Sequence, residues 1–155
     1  MLIPPEPDPK DPKDASATLV LRRTFAASRE RVFRAWITPG ALEAWFRPRG
    51  QSMTVHALDA RVGGSFHFEL ENGNAIVGSY LQFVPPEKLA FTWSGEAASG
   101  RRSVVTLDFI DKGDQTEVVL THEGLKPEIR ARAEGGWPSM LDTLAALLAS
   151  PWPDV

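Results

Sequence analysis

The chain contains no cysteine. That absence removes disulfides, thiolate nucleophiles and every zinc-finger spacing together, and it fits a reducing, cytoplasmic setting. Long apolar runs are missing too. Met1-Leu2-Ile3 is followed at once by Pro4, Pro5, Glu6, Pro7 and Asp8, and no later stretch reaches bilayer length, so neither an export signal nor a membrane span is expected. Excess basic charge is absent: the formal net charge is −3 and the pI about 5.6, with no cluster of Lys and Arg interleaved with stacking aromatics. A nucleic-acid partner is therefore not expected. The phosphate-cradling pattern G-x-x-x-x-G-K-[ST] does not occur, nor does the G-x-S-x-G elbow of serine hydrolases. The three histidines, His56, His67 and His122, fall on separate segments with neither H-x-H nor H-x-x-x-H spacing and no carboxylate pairing, so no metal site and no cofactor is expected.

What remains is a chain of 155 residues with 43% hydrophobic content, enough for one domain with a sizeable core. Residues 1–16 alternate proline with charge and cannot bury enough surface to offset ordering entropy, which predicts a flexible leader, a domain over 17–150 and a tail over 151–155. Leu19, Val20, Leu21 and Phe25 make a first strand. Ser28 then stands as an N-cap before Val32, Phe33 and Trp36 at helical spacing, and Thr38-Pro39 opens a second short helix carrying Leu42, Trp45 and Phe46. Six strands follow, at 53–58, 65–70, 76–84, 89–93, 104–110 and 116–122. Gly63-Gly64, Asn72-Gly73, Pro85-Pro86, Gly95 with Gly100, and Lys112-Gly113 separate them. From Pro127 to Ala149, Trp137, Met140, Leu141, Leu144, Leu147 and Leu148 recur at spacings of three and four, the stripe of a long helix that needs a greasy sheet face to cover it. Pro127 and Glu128 suit its first turn, and Gly135, Gly136 and Pro138 predict a kink in its middle, with the glycine letting the Trp137 indole approach the sheet. The order is α+β: seven antiparallel strands, two short helices after strand one and a long helix at the end.

Alternation assigns the faces. A turn at Lys112-Gly113 or a four-residue loop over 111–114 pairs Ile110 with Gln115, Leu107 with Val118, Val105 with Leu120 and Ser103 with His122. Val105, Leu107, Phe109, Val118, Leu120 and His122 then face inward, while Thr106, Asp108, Glu117 and Thr121 face water. Phe66, Phe68 and Leu70 form a second inward row and Leu89, Phe91 and Trp93 a third.

Four strings in this setting, RVFRAWITPGALEAWF from Arg31, DARVGGSFHFEL from Asp59, GSYLQFVPPEKLAFTW from Gly78 and THEGLKPEIRARAEGGWPSMLDTLAALL from Thr121, resemble the homologues of the activator of the heat-shock-protein-90 ATPase. That family lies in the START-like, or SRPBCC, superfamily. The resemblance runs from about Leu19 to Ala149 and matches the C-terminal part of the eukaryotic activators. It implies a helix-grip fold, a curved seven-stranded antiparallel sheet around the long C-terminal helix, with a cavity between them for a hydrophobic small molecule. It also implies a stress-response setting and leaves a homodimer open.

The residues that would line such a cavity are Phe66, Phe68, Tyr80, Phe91, Trp93, Leu107, Leu120, His122, Trp137, Met140 and Leu141. Rigid aromatics facing one kinked helix leave gaps that Leu and Val would close, and gaps of that kind hold ligands. His122 is the one histidine facing inward, a candidate general base or hydrogen-bond donor, with neither Asp108 nor Glu69 on its face to orient it. No catalytic residue is assigned. Binding of a hydrophobic or aromatic small molecule is the leading expectation, with a polyketide-cyclase or aromatase-like enzyme and a chaperone ATPase co-regulator as alternatives.

Overall fold

Seven strands and three helices follow the order that the breakers predict: β1 (Ala17–Phe25), α1 (Arg29–Ala35), α2 (Pro39–Trp45), β2 (Met53–Leu58), β3 (Ser65–Leu70), β4 (Ala75–Val84), β5 (Lys88–Gly95), β6 (Ser103–Asp111), β7 (Thr116–Leu125) and α3 (Pro127–Ala149). The computed structural model describes residues 17–95 and 103–149. The expected leader over 1–16, the breaker Gly100 and the tail over 151–155 lie outside the described residues. All neighbouring strands pair antiparallel in one sheet, β1-β7-β6-β5-β4-β3-β2, so the first strand closes against the last. The sheet curves around α3, which is the helix-grip architecture.

Each short helix starts where its cap residue stands. The Ser28 hydroxyl oxygen accepts the Arg31 N–H at 3.3 Å, satisfying one otherwise orphaned donor of α1. Thr38 precedes Pro39 at the start of α2 but does not cap it with its side chain; its hydroxyl donates back to the Arg34 carbonyl at 2.7 Å. Tryptophan ties the two helices together, since the buried Trp45 indole N–H donates to the Ala35 carbonyl at 2.9 Å. Glu43 of α2 accepts the Val55 N–H at 2.9 Å, occupying a donor that the edge strand β2 would otherwise leave open. At the other end of the molecule the Arg31 guanidinium donates to the Leu148 carbonyl at 2.6 Å, so α1 satisfies an acceptor in the last turn of α3.

The last hairpin departs from the predicted pairing by two residues. Leu107 lies opposite Leu120, Val105 opposite His122, Phe109 opposite Val118 and Ile110 opposite Glu117. A slip of two keeps every side chain on its expected face, and the inward set is buried as assigned. Local chemistry sets the register. Asp111 accepts the Gly113 N–H at 2.9 Å, Gly113 takes φ +83°, and the Lys112 N–H reaches the Gln115 carbonyl, which makes 112–115 the loop. Thr116 then begins β7 with its hydroxyl buried and donating to the Ala27 carbonyl at 2.8 Å.

The corner between β2 and β3 uses its two glycines differently. Gly63 takes φ +81°, while at Gly64 a Cβ would lie 2.0 Å from the Asp59 carbonyl oxygen; close approach, not handedness, requires glycine there. Along α3 the buried residues are Ile129, Trp137, Met140, Leu141, Leu144 and Leu148, so the predicted stripe gains Ile129 upstream while Leu147, at its edge, is only half-buried, and the helix runs unbroken through Pro138. Gly135 and Gly136 do not serve close approach to the sheet, because a Cβ at either would meet nothing within 4 Å.

Candidate functional site

Beneath the sheet the predicted ligand wall divides into two parts. Under β3, β4 and β5 the aromatic rows are filled. Phe66 contacts Phe68, Tyr80 and Phe91 at ring-centroid distances of 4.9, 5.7 and 5.6 Å, and Phe46, the residue that ends α2, packs on Phe68 at 5.9 Å. The hollow left between these rings, Trp36, Leu42 and Trp93 is about 20 Å³, room for roughly one water. Phe66 also lies across its strand partner Gly78, where a Cβ would come within 2.5 Å of the ring. Burial in this region raises the Tyr80 phenol above its ordinary value. Leu107 and Leu120 are wholly buried in the sheet's inner face and Leu141 is buried beneath α3; none of the three borders the clefts described below.

Trp93, His122, Trp137 and Met140 come together at a different place. With Pro48, Arg49, Leu125, Ile129, Arg132, Ala133 and Gly136 they line a cleft of about 130 Å³ between the first half of α3 and the open end of the sheet. Its outer wall is a one-turn 3-10 helix, Pro48–Gly50, in which Arg49 takes φ 56°. A second cleft, about 220 Å³, shares Pro48, Arg49, Trp93 and Arg132 and continues toward Gln51, Asn72 and Asn74. Pro48, Arg49, Leu125, Ile129, Arg132, Ala133 and Gly136 line the first cleft without being among the residues expected to line a cavity. Arg132 lies off the apolar stripe of α3, and the loop before β2 carries no periodicity to read.

At the back of the first cleft a hydrogen-bonded chain fixes His122. The Trp137 indole N–H donates to Nδ1 at 3.2 Å, and the Ser103 hydroxyl lies 2.8 Å from Nε2. Indole nitrogen is only a donor, so Nδ1 is the acceptor and the proton of the neutral ring sits on Nε2. Nε2 then donates to Ser103, whose own hydroxyl proton goes on to the Trp93 carbonyl at 3.1 Å. Serine and histidine at this distance resemble a nucleophile and its base, but the proton is on the wrong nitrogen for His122 to deprotonate Ser103. Burial reinforces this, lowering the imidazole pKa from 6.5 to about 4. His122 is thus a neutral strut, with the Trp93 and Trp137 rings edge-on at 5.9 and 6.1 Å.

Arg23 and the two remaining histidines lie outside both clefts. Arg23 pairs with Asp142 of α3 and passes 5.9 Å over the Phe25 ring. His56 does have a carboxylate partner, contrary to expectation: its Nε2 is 2.7 Å from Glu69 on the neighbouring strand, and its ring stands 5.1 Å from that of His67. A bulge between Val55 and Ala57 changes the register of β2 against β3, which alternation alone does not reveal. No group of three or more potential metal ligands occurs among the described residues, and no helix among them is long and apolar enough to cross a membrane.

Residues 26–149 match the family model described as Activator of Hsp90 ATPase homolog 1-like protein. The chain belongs to this family. Its curated relatives include the mouse Activator of 90 kDa heat shock protein ATPase homolog 1, 29% identical over 126 residues, which cover 81% of this chain and 35% of that protein. The human protein of the same name is 28% identical over 129 residues, with the same coverage. The chain thus spans about a third of the length of the curated relatives it matches. Among solved structures, protein CV1439 from Chromobacterium violaceum superposes with a TM-score of 0.79 at 31% identity, covering 86% of this chain and 97% of that one. CalU16 from Micromonospora echinospora gives 0.69 at 26%, covering 86% and 77%. PFC0360w, an HSP90 activator from Plasmodium falciparum, gives 0.69 at 23% identity, covering 86% and 97%, and shares the fold.

Proposed function

We propose that this domain binds a hydrophobic or aromatic small molecule in the cleft between the first half of α3 and the Pro48–Gly50 turn. The observation that carries this reading is an open concavity walled by Trp93, Leu125, Ile129, Trp137 and Met140 in a domain whose aromatic rows under β3 to β5 are packed. Apolar surface left uncovered in a concave site, with few polar groups converging on it, is the usual character of a ligand pocket. At about 130 Å³ the cleft alone suits a single ring; a larger body would extend into the neighbouring cleft past Trp93. The carrier reading is favoured over a cyclase-like one because His122, the base such an enzyme would need, is held as a donor to Ser103 with its pKa lowered. Native mass spectrometry of freshly purified protein tests it. A retained small molecule that is lost from a Gly136→Leu variant, whose side chain would enter the cleft, is the expected result. A wild-type protein that carries nothing and takes up no apolar aromatic compound would overturn it.

A second reading, regulation of the Hsp90 ATPase, is favoured by the curated relatives, which bear that activity in their names. Because the match spans 35% of their length, the reading is tested directly by adding this chain to purified Hsp90 and measuring ATP hydrolysis. Stimulation supports it, and an unchanged rate with no co-purification counts against it.

A further inference from the structure

Both clefts are bordered by the same two arginines, Arg49 on the 3-10 turn and Arg132 on α3, and among the described residues no carboxylate lines either cleft. This is unusual for a chain whose net charge is −3. Four other arginines are ion-paired within the fold: Arg22 with Glu117, Arg23 with Asp142, Arg61 with Asp59 and Arg130 with Glu134. Among the described residues the guanidinium groups of Arg49 and Arg132 have no ion pair and no hydrogen bond. Arg49 is moreover held at φ 56°, the one non-glycine residue among those described with a positive φ, in a region that side chains other than glycine occupy at a cost.

We propose that the cleft selects amphiphiles with an anionic head, taking an apolar organic acid with its ring or branched body against Trp93, Trp137 and Met140 and its carboxylate at Arg49 and Arg132. The inference rests on the small-molecule reading above and adds the ligand's charge and orientation. A guanidinium presents two parallel N–H donors that match the two oxygens of a carboxylate. Against the apolar wall of the cleft that pairing is screened less than on an open surface. Gln51, Asn72 and Asn74 beyond the arginines supply uncharged polar groups, so none of the described residues lining the clefts repels the anion.

The test uses a pair of compounds that differ in charge and little else, 1-naphthylacetate and 1-naphthylacetamide, titrated calorimetrically into the purified chain. The acid is expected to bind at least tenfold more tightly than the amide in low salt, with the gap narrowing as salt is raised. Arg49→Gln and Arg132→Gln should each weaken the acid more than the amide and so reduce that gap, and Gly136→Leu should weaken both compounds. Equal affinity for acid and amide in the wild type would overturn the charge selection and leave the cleft as a neutral pocket. Failure of both compounds to bind would overturn the small-molecule reading and this inference with it. Binding untouched by Gly136→Leu would place the compounds elsewhere and overturn the assignment of the cleft.

Discussion

The two halves of the volume under the sheet are built from similar residues and end in opposite states. Under β3 to β5, Phe66, Phe68, Tyr80 and Phe91 meet Phe46 and Trp36 and leave about 20 Å³. Under the first half of α3, Trp93 and Trp137 meet Ile129, Ala133 and Gly136 and leave about 130 Å³. Aromatic content therefore does not make a cavity. What separates the halves is the opposing layer: Trp36 after α1, Leu42 of α2 and Phe46 at its end supply large side chains to the filled half, whereas Ala133 and Gly136 of α3 leave space in the open one, rimmed by Arg132 and Arg49.

The largest expected effect tests whether the halves differ in packing. Phe66→Ala removes a ring enclosed on all sides and should cost ~3–5 kcal/mol, because little around it can collapse into the space. Met140→Ala, on the wall of the cleft, should cost about 2 kcal/mol, the low end for such truncations, since part of its surface already borders open space. Denaturant midpoints of the two variants measure the difference. Equal losses would mean that the cleft closes in solution and that the contrast between the halves does not hold.

A smaller effect probes the hydrogen-bonded chain at the boundary between them. The folded-state pKa of His122 lies below its unfolded value, so the unfolded chain binds the proton first as pH falls. Its contribution is fully present above about pH 6.5 and is lost progressively down to about pH 4. That shift corresponds to roughly 3 kcal/mol. His122→Asn should flatten the difference in stability between pH 7 and pH 4.5 relative to wild type, measured by urea unfolding at both. An unchanged pH slope would show that the imidazole is charged in the folded protein and that the Trp137 indole does not donate to it. Trp137→Phe keeps the ring but leaves Nδ1 without a donor, and should cost about 1–3 kcal/mol.

The same contrast explains what the sequence could and could not disclose. Strand and helix positions were legible because each inward row repeats every second residue and the α3 stripe every third or fourth, which burial alone dictates. The pairing of β6 with β7 was not, because registers two residues apart bury the same side chains; the Asp111 turn and the Thr116 hydroxyl on Ala27 decide between them. At the candidate site, the inward direction of Trp93, His122, Trp137 and Met140 followed from alternation and helical spacing. Which aromatics would be packed solid depended on how α1 and α2 fold back over β3 and β4, a tertiary contact with no local signature. Arg49 and Arg132 carry no signal in the sequence, since exposed arginines are usually solvated, and only their shared cleft distinguishes them.

The smallest effect concerns Gly135 and Gly136, adjacent residues in the middle of α3 with different surroundings. A Cβ at either meets nothing within 4 Å, so alanine brings no clash. In a helix interior alanine is favoured over glycine by roughly 0.5–1 kcal/mol, because the unfolded glycine has more conformational freedom to lose. Gly135→Ala and Gly136→Ala should therefore each raise the melting midpoint by a similar small amount. Only Gly136 lines the cleft. Its new methyl group should occupy part of a volume of about 130 Å³ and weaken uptake of an apolar aromatic compound, while Gly135→Ala leaves uptake unchanged. Stability and binding then move together at one position and apart at its neighbour. A helix that is kept flexible to admit a ligand would instead show weaker uptake in both variants, and the two measurements made side by side separate a glycine retained for space from a pair retained for motion.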